Sequence, residues 1–212
     1  MGSSKEWQDS VAKVFWGEIA PCEHVLQIYE DEESFLQVLT DFVGEGINLG
    51  EGVIVIATQK HLNGLEAKLL DHGLNVKALI ETRSYIPLDE KETLALFMVE
   101  GWPDEARFNR EITSIINRAK AGNRGVRAFG EMVALLWAEG NNGATVNLEY
   151  LWNKLVKTEA FSLFCAYPRA GFTQNATDSV MGICHSHSKM IKGSDVIRGK
   201  ILYKDSKNIG AL

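Results

Sequence analysis

The sequence predicts an α/β protein: three layers, with a mostly parallel central sheet and helices on both faces. Short runs that are apolar on both faces read as buried strands, namely His24–Tyr29, Val53–Thr58, Val126–Gly130 and Phe161–Tyr167. Continuous apolar runs rich in β-branched and aromatic residues are the mark of central parallel strands. Segments with apolar residues at helical spacing separate them, and that alternation defines βαβ units.

Each element has its own grounds. Asp31–Leu49 carries Phe35, Leu36, Leu39, Phe42, Val43 and Ile47 on one stripe. Its acidic start, Glu30 to Glu33, suits the positive end of a helix dipole, and Gly50 and Gly52 stop it. Leu62–His72 places Leu62, Leu65, Leu69 and Leu70 on one face and ends at Gly73. Ser84–Leu88 is a weaker strand whose Pro87 belongs at a sheet edge or strand end. Pro103–Ala121 is expected to place Pro103 in the first helical turn and to close at Gly122. Val146–Val156 and Thr177–Ile191 complete the helices.

The domain organisation read from this pattern is an N-terminal helical arm over residues 1–21, a single domain over 22–198 and a tail over 199–212. The arm is amphipathic through Trp7, Val11, Val14 and Phe15, and the tail contains a short strand, Lys200–Tyr203. Both are expected to serve docking or self-association.

Composition excludes several classes. The 212 residues carry a formal net charge of −6, which disfavours broad attraction to nucleic acid or anionic lipid. Cys22, Cys165 and Cys184 are too scattered for a disulfide framework, and Cys165 reads as a small core residue. No apolar stretch is long enough to span a membrane, and the start of the sequence has no signal-peptide core. A cytoplasmic protein is expected.

Ligands of an open parallel sheet bind beyond the C-terminal ends of the strands. That rule singles out Tyr29, Glu30 and Asp31, then Thr58, Gln59 and His61, then Glu131, then Tyr167, Pro168 and Arg169. Tyr29, Asp31, Thr58, Glu131, Tyr167 and Arg169 are the expected ligand-binding set. Each alone also suits a cap, a turn or a solvated loop. A phosphate loop is absent: after Tyr29 the chain offers four carboxylates and no glycine or lysine. Gly44 to Gly50 spells nearly a dinucleotide fingerprint but ends a helix instead of opening one. Cys184-His185-Ser186-His187 looks like a metal cluster, yet His185 and His187 point apart on a helix, so no metal and no cofactor is expected. Cys184 and His187 share the core face, and His187 reads as a hydrogen-bonded, partly buried histidine. Arg127, within a buried strand, requires a carboxylate, and alternation makes Glu131 its expected ion-pair partner.

Taken together, His24 to Tyr29 with the acidic helix start, then Phe42-Val43-Gly44-Glu45-Gly46-Ile47-Asn48-Leu49-Gly50-Glu51-Gly52 running into Val53–Thr58, resemble the opening of the MEDS domain. This is the sensory domain of methanogens and methylotrophs named from the DcmR regulator. Glu81–Leu88, Gly101-Trp102-Pro103-Asp104, Val126 to Met132 and Leu163 to Tyr167 are further marks, and His185 or His187 resembles the family's late histidine. The likeness covers about residues 22–192. It implies a RecA/KaiC-like fold lacking a working P-loop. It also implies sensing of small organic or hydrocarbon-derived signals, coupled to a histidine kinase or transcription regulator. No helix-turn-helix or kinase motif is visible in the sequence, so output is expected through a partner chain or a homodimer. The readings in order are a non-catalytic ligand-sensing module, a pure protein-interaction module, and a hydrolytic enzyme using Glu131.

Overall fold

A computed structural model of the chain describes residues 16–172, 177–192 and 200–203. Trp7, Val11, Val14 and Phe15 of the expected arm lie outside them. In chain order the elements are β1 (His24–Tyr29), α1 (Glu32–Asn48), β2 (Gly52–Ala57), α2 (Gln59–Asp71), α3 (Val76–Glu81), β3 (Tyr85–Asp89), α4 (Glu90–Ala95), β4 (Met98–Val99), β5 (Trp102–Pro103) and α5 (Glu105–Ala119). They continue with β6 (Val126–Gly130), α6 (Met132–Ala138), α7 (Asn142–Glu159), β7 (Ser162–Pro168), a 3₁₀ turn (Arg169–Gly171), α8 (Thr177–Ser186), β8 (Lys189–Lys192) and β9 (Lys200–Tyr203).

Among the described residues, the main sheet has seven strands in the order β3-β2-β6-β7-β1-β8-β9, and β4 and β5 form a separate hairpin. Every pairing in the main sheet is parallel except β8 with β9. The apolar runs take the centre: β2 is buried along its whole length. Pro87 lies in β3, the edge strand, where a missing N–H costs no ladder bond on the open side.

Side-chain alternation divides the strands between two cores. Val53, Val55, Phe129, Phe164 and Ala166 pack against Phe35, Phe42, Leu65 and Leu69 of α1 and α2. Ile54, Ile56, Ala128, Leu163 and Tyr167 pack against Phe108 and Ile112 of α5, Leu148 and Trp152 of α7, and Ile183 of α8. Trp16, ahead of β1, is fully buried on the first of these faces, with its ring 5.0 Å from Phe42 and 5.2 Å from Phe164.

Two glycines set the spacing of the layers. A Cβ on Gly46 would lie 2.5 Å from Arg127 Cδ and 2.8 Å from Val53 Cγ2, so only glycine lets α1 sit this close to the sheet. A Cβ on Gly52 would run into the Ala119 carbonyl at the end of α5.

Two expected boundaries move. Pro103 does not open a helix. It pairs with Met98 in the hairpin, and Asp104 caps α5 by accepting the Arg107 amide at 2.8 Å. The last helix does not reach Ile191. It stops at Ser186 because the open side of β1 captures the chain: Ser188 N–H donates to the His24 carbonyl at 2.7 Å, and β8 then runs parallel to β1. Local periodicity cannot see an unpaired strand edge far away in sequence.

Candidate functional site

The C-terminal ends of β1, β2, β3 and β6 open on one side of the sheet, and α1, α2 and α4 begin there. Asp31 caps α1 and accepts the Ser34 amide at 2.8 Å, and hydrogen bonding by the Ser34 side chain, then by its amide, holds the Asp31 carboxyl below the usual range. Thr58 caps α2 and accepts the His61 amide at 3.1 Å. Both side chains are therefore occupied in holding helix starts.

His61 is the centre of the site. Its Nδ1 lies 2.9 and 2.8 Å from the two oxygens of Glu131, and its Nε2 lies 3.0 Å from Glu32 Oε1. Burial alone would lower the imidazole. The hydrogen bonds and charges of Glu131 and then Glu32 outweigh it, so His61 titrates above its ordinary value. The Lys60 ammonium, 2.6 Å from Glu32, is the main cause of that carboxyl's depressed titration. The Tyr29 ring stacks on Phe35 at 4.5 Å, and Phe35 meets the His61 ring edge at 4.9 Å. Burial, and then the charges of Glu131 and Glu32, push the Tyr29 phenol up to about 12.

Glu90, at the start of α4, is buried, and its Oε2 has no hydrogen-bond partner among the described residues. Burial raises this carboxyl, and the nearby charges of Asp89 and Glu131 add to the effect. Beside it a cavity of ≈ 320 Å³ is bounded by Gln59, Asn63, Glu66, Tyr85, Asp89 and Glu92, with Leu62, Val76, Ile80 and Pro87 as its apolar wall. The lining contains carboxylates and no cationic side chain.

Of the expected set, Tyr29 and Glu131 meet across His61, while Asp31 and Thr58 act as caps. Arg169 pairs with Glu30 in solvent. Tyr167 points away from the opening into the opposite core, where it is fully buried and donates to Glu149 Oε1 at 2.5 Å. Period-two alternation along β7 explains this, since Tyr167 follows Cys165 and Leu163 onto the α7 face.

The expected Arg127–Glu131 ion pair does not form. Arg127 donates to Glu51 and, at 2.9 Å, to the Phe42 carbonyl, and its guanidinium lies over the Phe42 ring. Glu131 stands four positions further along the chain, about 13 Å of rise. The side chain turns toward the N-terminal end of the sheet, while Glu131 lies past the C-terminal end. Sequence reading placed His61 near the site but gave it no role, and it missed Glu90. A histidine within a capped first helical turn, opposite a strand-end glutamate, was the available signal.

The late cluster also resolves. His185 is exposed, whereas His187 is buried, with Nδ1 2.7 Å from the Ile183 carbonyl. Its Nε2 lies among His24, Glu149 and Cys165.

A mostly parallel sheet between two helical layers, with carboxylates where a phosphate loop would stand, defines a RecA-like domain built without phosphate-binding geometry. The sequence matches the model of the MEDS domain, described as the methanogen/methylotroph, DcmR sensory domain, over residues 23–186, and the chain belongs to that family. The sequence has no match among curated proteins. Solved structures share the fold. The protein PH0250 from Pyrococcus horikoshii OT3 is similar with a TM-score of 0.53 at 11% identity, over 85% of this chain and 86% of that one. The flagellar accessory protein FlaH from Methanocaldococcus jannaschii is similar with a TM-score of 0.55 at 10% identity, over 82% and 72%. Among the described residues, no helix is long and apolar enough to cross a membrane.

Proposed function

We propose that this sensory domain is non-catalytic and binds a small organic molecule in the ≈ 320 Å³ cavity beside β3, passing the signal to a partner such as a histidine kinase or transcription regulator. The cavity carries the reading. Its volume suits a small ligand, its wall is part apolar, and its polar groups are acceptors from Asp89, Glu92 and Glu66 with the amides of Gln59 and Asn63. Such a lining favours a neutral donor or a cation with an apolar portion and disfavours anions. Glu90 follows the cavity residue Asp89 in the chain, and His61 lies between Gln59 and Leu62 of its wall. The output rests on the family's sensory role.

Calorimetric titration of the full chain against small amines, alcohols and carboxylic acids tests this reading. Amines or alcohols are expected to bind. Ile80→Trp, at a position 44% exposed and so safe for folding, should fill the cavity and weaken binding at least about tenfold. Absence of any binder, or affinity indifferent to Ile80→Trp, overturns it.

A second reading, an interaction module without a ligand, draws on the exposed Trp102, Leu96 and Val99 around the hairpin. A partner captured by the full chain, kept in Ile80→Trp and lost in Trp102→Ala, would favour it.

A further inference from the structure

The cluster of His24, Glu149, Cys165 and His187 lies on the opposite side of the sheet from the cavity and takes no part in the proposed sensing. We infer that these four side chains form a closed, buried binding site for one divalent transition-metal ion of the zinc class, joining β1, β7, α7 and the segment after α8.

The donor atoms converge. One ligand atom from each residue lies within 4.8 Å of every other. His24 Nε2 is 3.3 Å from Cys165 Sγ and 3.6 Å from Glu149 Oε2, and His187 Nε2 is 3.5 Å from the same oxygen. A tetrahedral ion with bonds of about 2.0–2.3 Å has ligand-to-ligand edges of roughly 3.3–3.8 Å. These three separations match edges of such a polyhedron, and the other donor pairs lie within 4.8 Å of one another.

The orientation of the rings agrees. His24 Nδ1 is 3.1 Å from the Ser186 carbonyl and His187 Nδ1 is 2.7 Å from the Ile183 carbonyl. A carbonyl only accepts, so each Nδ1 carries the hydrogen, and in the neutral ring each Nε2 keeps a lone pair facing the cluster. Backbone carbonyls fix ligating histidines in the same way at metal sites. Tyr167 donates to Glu149 Oε1 at 2.5 Å, which steers the second oxygen inward. That oxygen, Oε2, has no hydrogen-bond partner among the described residues, although Glu149 is 0% exposed. A buried carboxylate oxygen without a donor is costly, and a cation would satisfy it.

Binding would displace the thiol proton, M²⁺ replacing H⁺ on sulfur, with that proton leaving to solvent. Two imidazoles, a thiolate and a carboxylate suit zinc or cobalt better than magnesium or calcium. With four protein ligands and no exposed face, the site is structural and not catalytic.

Cobalt(II) and zinc(II) are the probes. The full chain, stripped with chelator, should take up one equivalent of either. With cobalt it should show a sulfur-to-cobalt charge-transfer band and the intense visible bands of tetrahedral coordination. Cys22→Ser with Cys184→Ser leaves Cys165 as the only thiol without touching the cluster, and this protein must keep the band. His185→Ala, at the exposed neighbour, must bind as the wild type does. Cys165→Ser should abolish the charge-transfer band, and Glu149→Gln should weaken zinc binding by at least about a hundredfold. No stoichiometric uptake by the wild type, or loss of the band in the double serine variant, overturns the inference. Neither readout depends on a cluster variant that fails to fold.

Discussion

His61 and Glu131 form a buried pair 2.8 Å apart, joining the first turn of α2 to the end of β6. The pair ties two helix starts to the central sheet, because the other imidazole nitrogen reaches Glu32 at the start of α1. The imidazole thus sits between two carboxylates behind the acidic turn after β1. Their hydrogen bonds and charges favour its protonated form, so the pair's contribution to stability depends on pH.

The sign of that dependence follows from His61. Its folded value lies above its unfolded value near 6.5, so the stabilisation is complete below about pH 6.5 and is lost as pH rises through the folded value. Urea unfolding measured at half-unit steps from pH 5 to 9 should show this fall. Glu131→Gln should flatten it and cost about 1–3 kcal/mol at pH 6, where the charged partner matters most. A slope unchanged by Glu131→Gln would assign the pH dependence to another group.

Arg127 provides an independent measurement of what holds α1 to the sheet. It is 2% exposed and shares its donors between Glu51 and the Phe42 carbonyl. Arg127→Met should destabilise the domain by about 3 kcal/mol, since it strands a carboxylate and a buried carbonyl. Glu51→Gln should cost less, because Glu51 keeps partial access to water. Combining Arg127→Met with Glu131→Gln should be additive within about 0.5 kcal/mol, as expected for sites that share no partner. A larger coupling would revive the direct pairing that alternation along β6 suggests.

Much of this architecture is legible in the sequence because burial on both faces leaves a plain mark. The runs at β1, β2, β6 and β7 are apolar throughout, and Pro87 places β3 at the edge. The acidic, glycine-free turn after Tyr29 is equally plain. What sequence could not show is direction and long-range capture. Arg127 and Glu131 share strand parity, but parity says nothing about which end of the sheet a long side chain seeks. Thr177 to Ile191 has helical spacing, but the bare edge of β1 takes its last residues as a strand. His24, Glu149, Cys165 and His187 have no common spacing, since repeated crossovers of the chain between β1 and β8 bring them together.

Asp41, on α1, should limit stability at neutral pH. Burial raises its carboxyl to about 6, against the hydrogen bond from Gln37 and the charges of His72 and Lys68. A carboxyl raised on folding favours the folded state below its unfolded value, near 4, and weakens it as pH rises through about 6. Asp41→Asn keeps an acceptor for Gln37 and removes the charge. Thermal unfolding should show it more stable than the wild type by about 1 kcal/mol at pH 8 and indistinguishable at pH 4. Equal destabilisation at both would mean that the charge carries no penalty.

Gly46 and Gly64 both lie inside helices, yet alanine should act on them in opposite directions. At Gly46 the new Cβ would meet Arg127 Cδ at 2.5 Å and Val53 Cγ2 at 2.8 Å. Neither can retreat, because Arg127 is held by its partners and Val53 sits in the middle of the sheet. Gly46→Ala should therefore push α1 outward and cost about 1–3 kcal/mol. At Gly64 the nearest atom is Leu36 Cδ1 at 3.0 Å, the far end of a partly exposed side chain that can turn aside. The helical preference for alanine over glycine then dominates, and Gly64→Ala should stabilise the domain by about 0.5–1 kcal/mol. Urea unfolding of the two variants checks both signs together. If Gly46→Ala also stabilised, α1 would have to pack less tightly on the sheet than the contacts around Arg127 require.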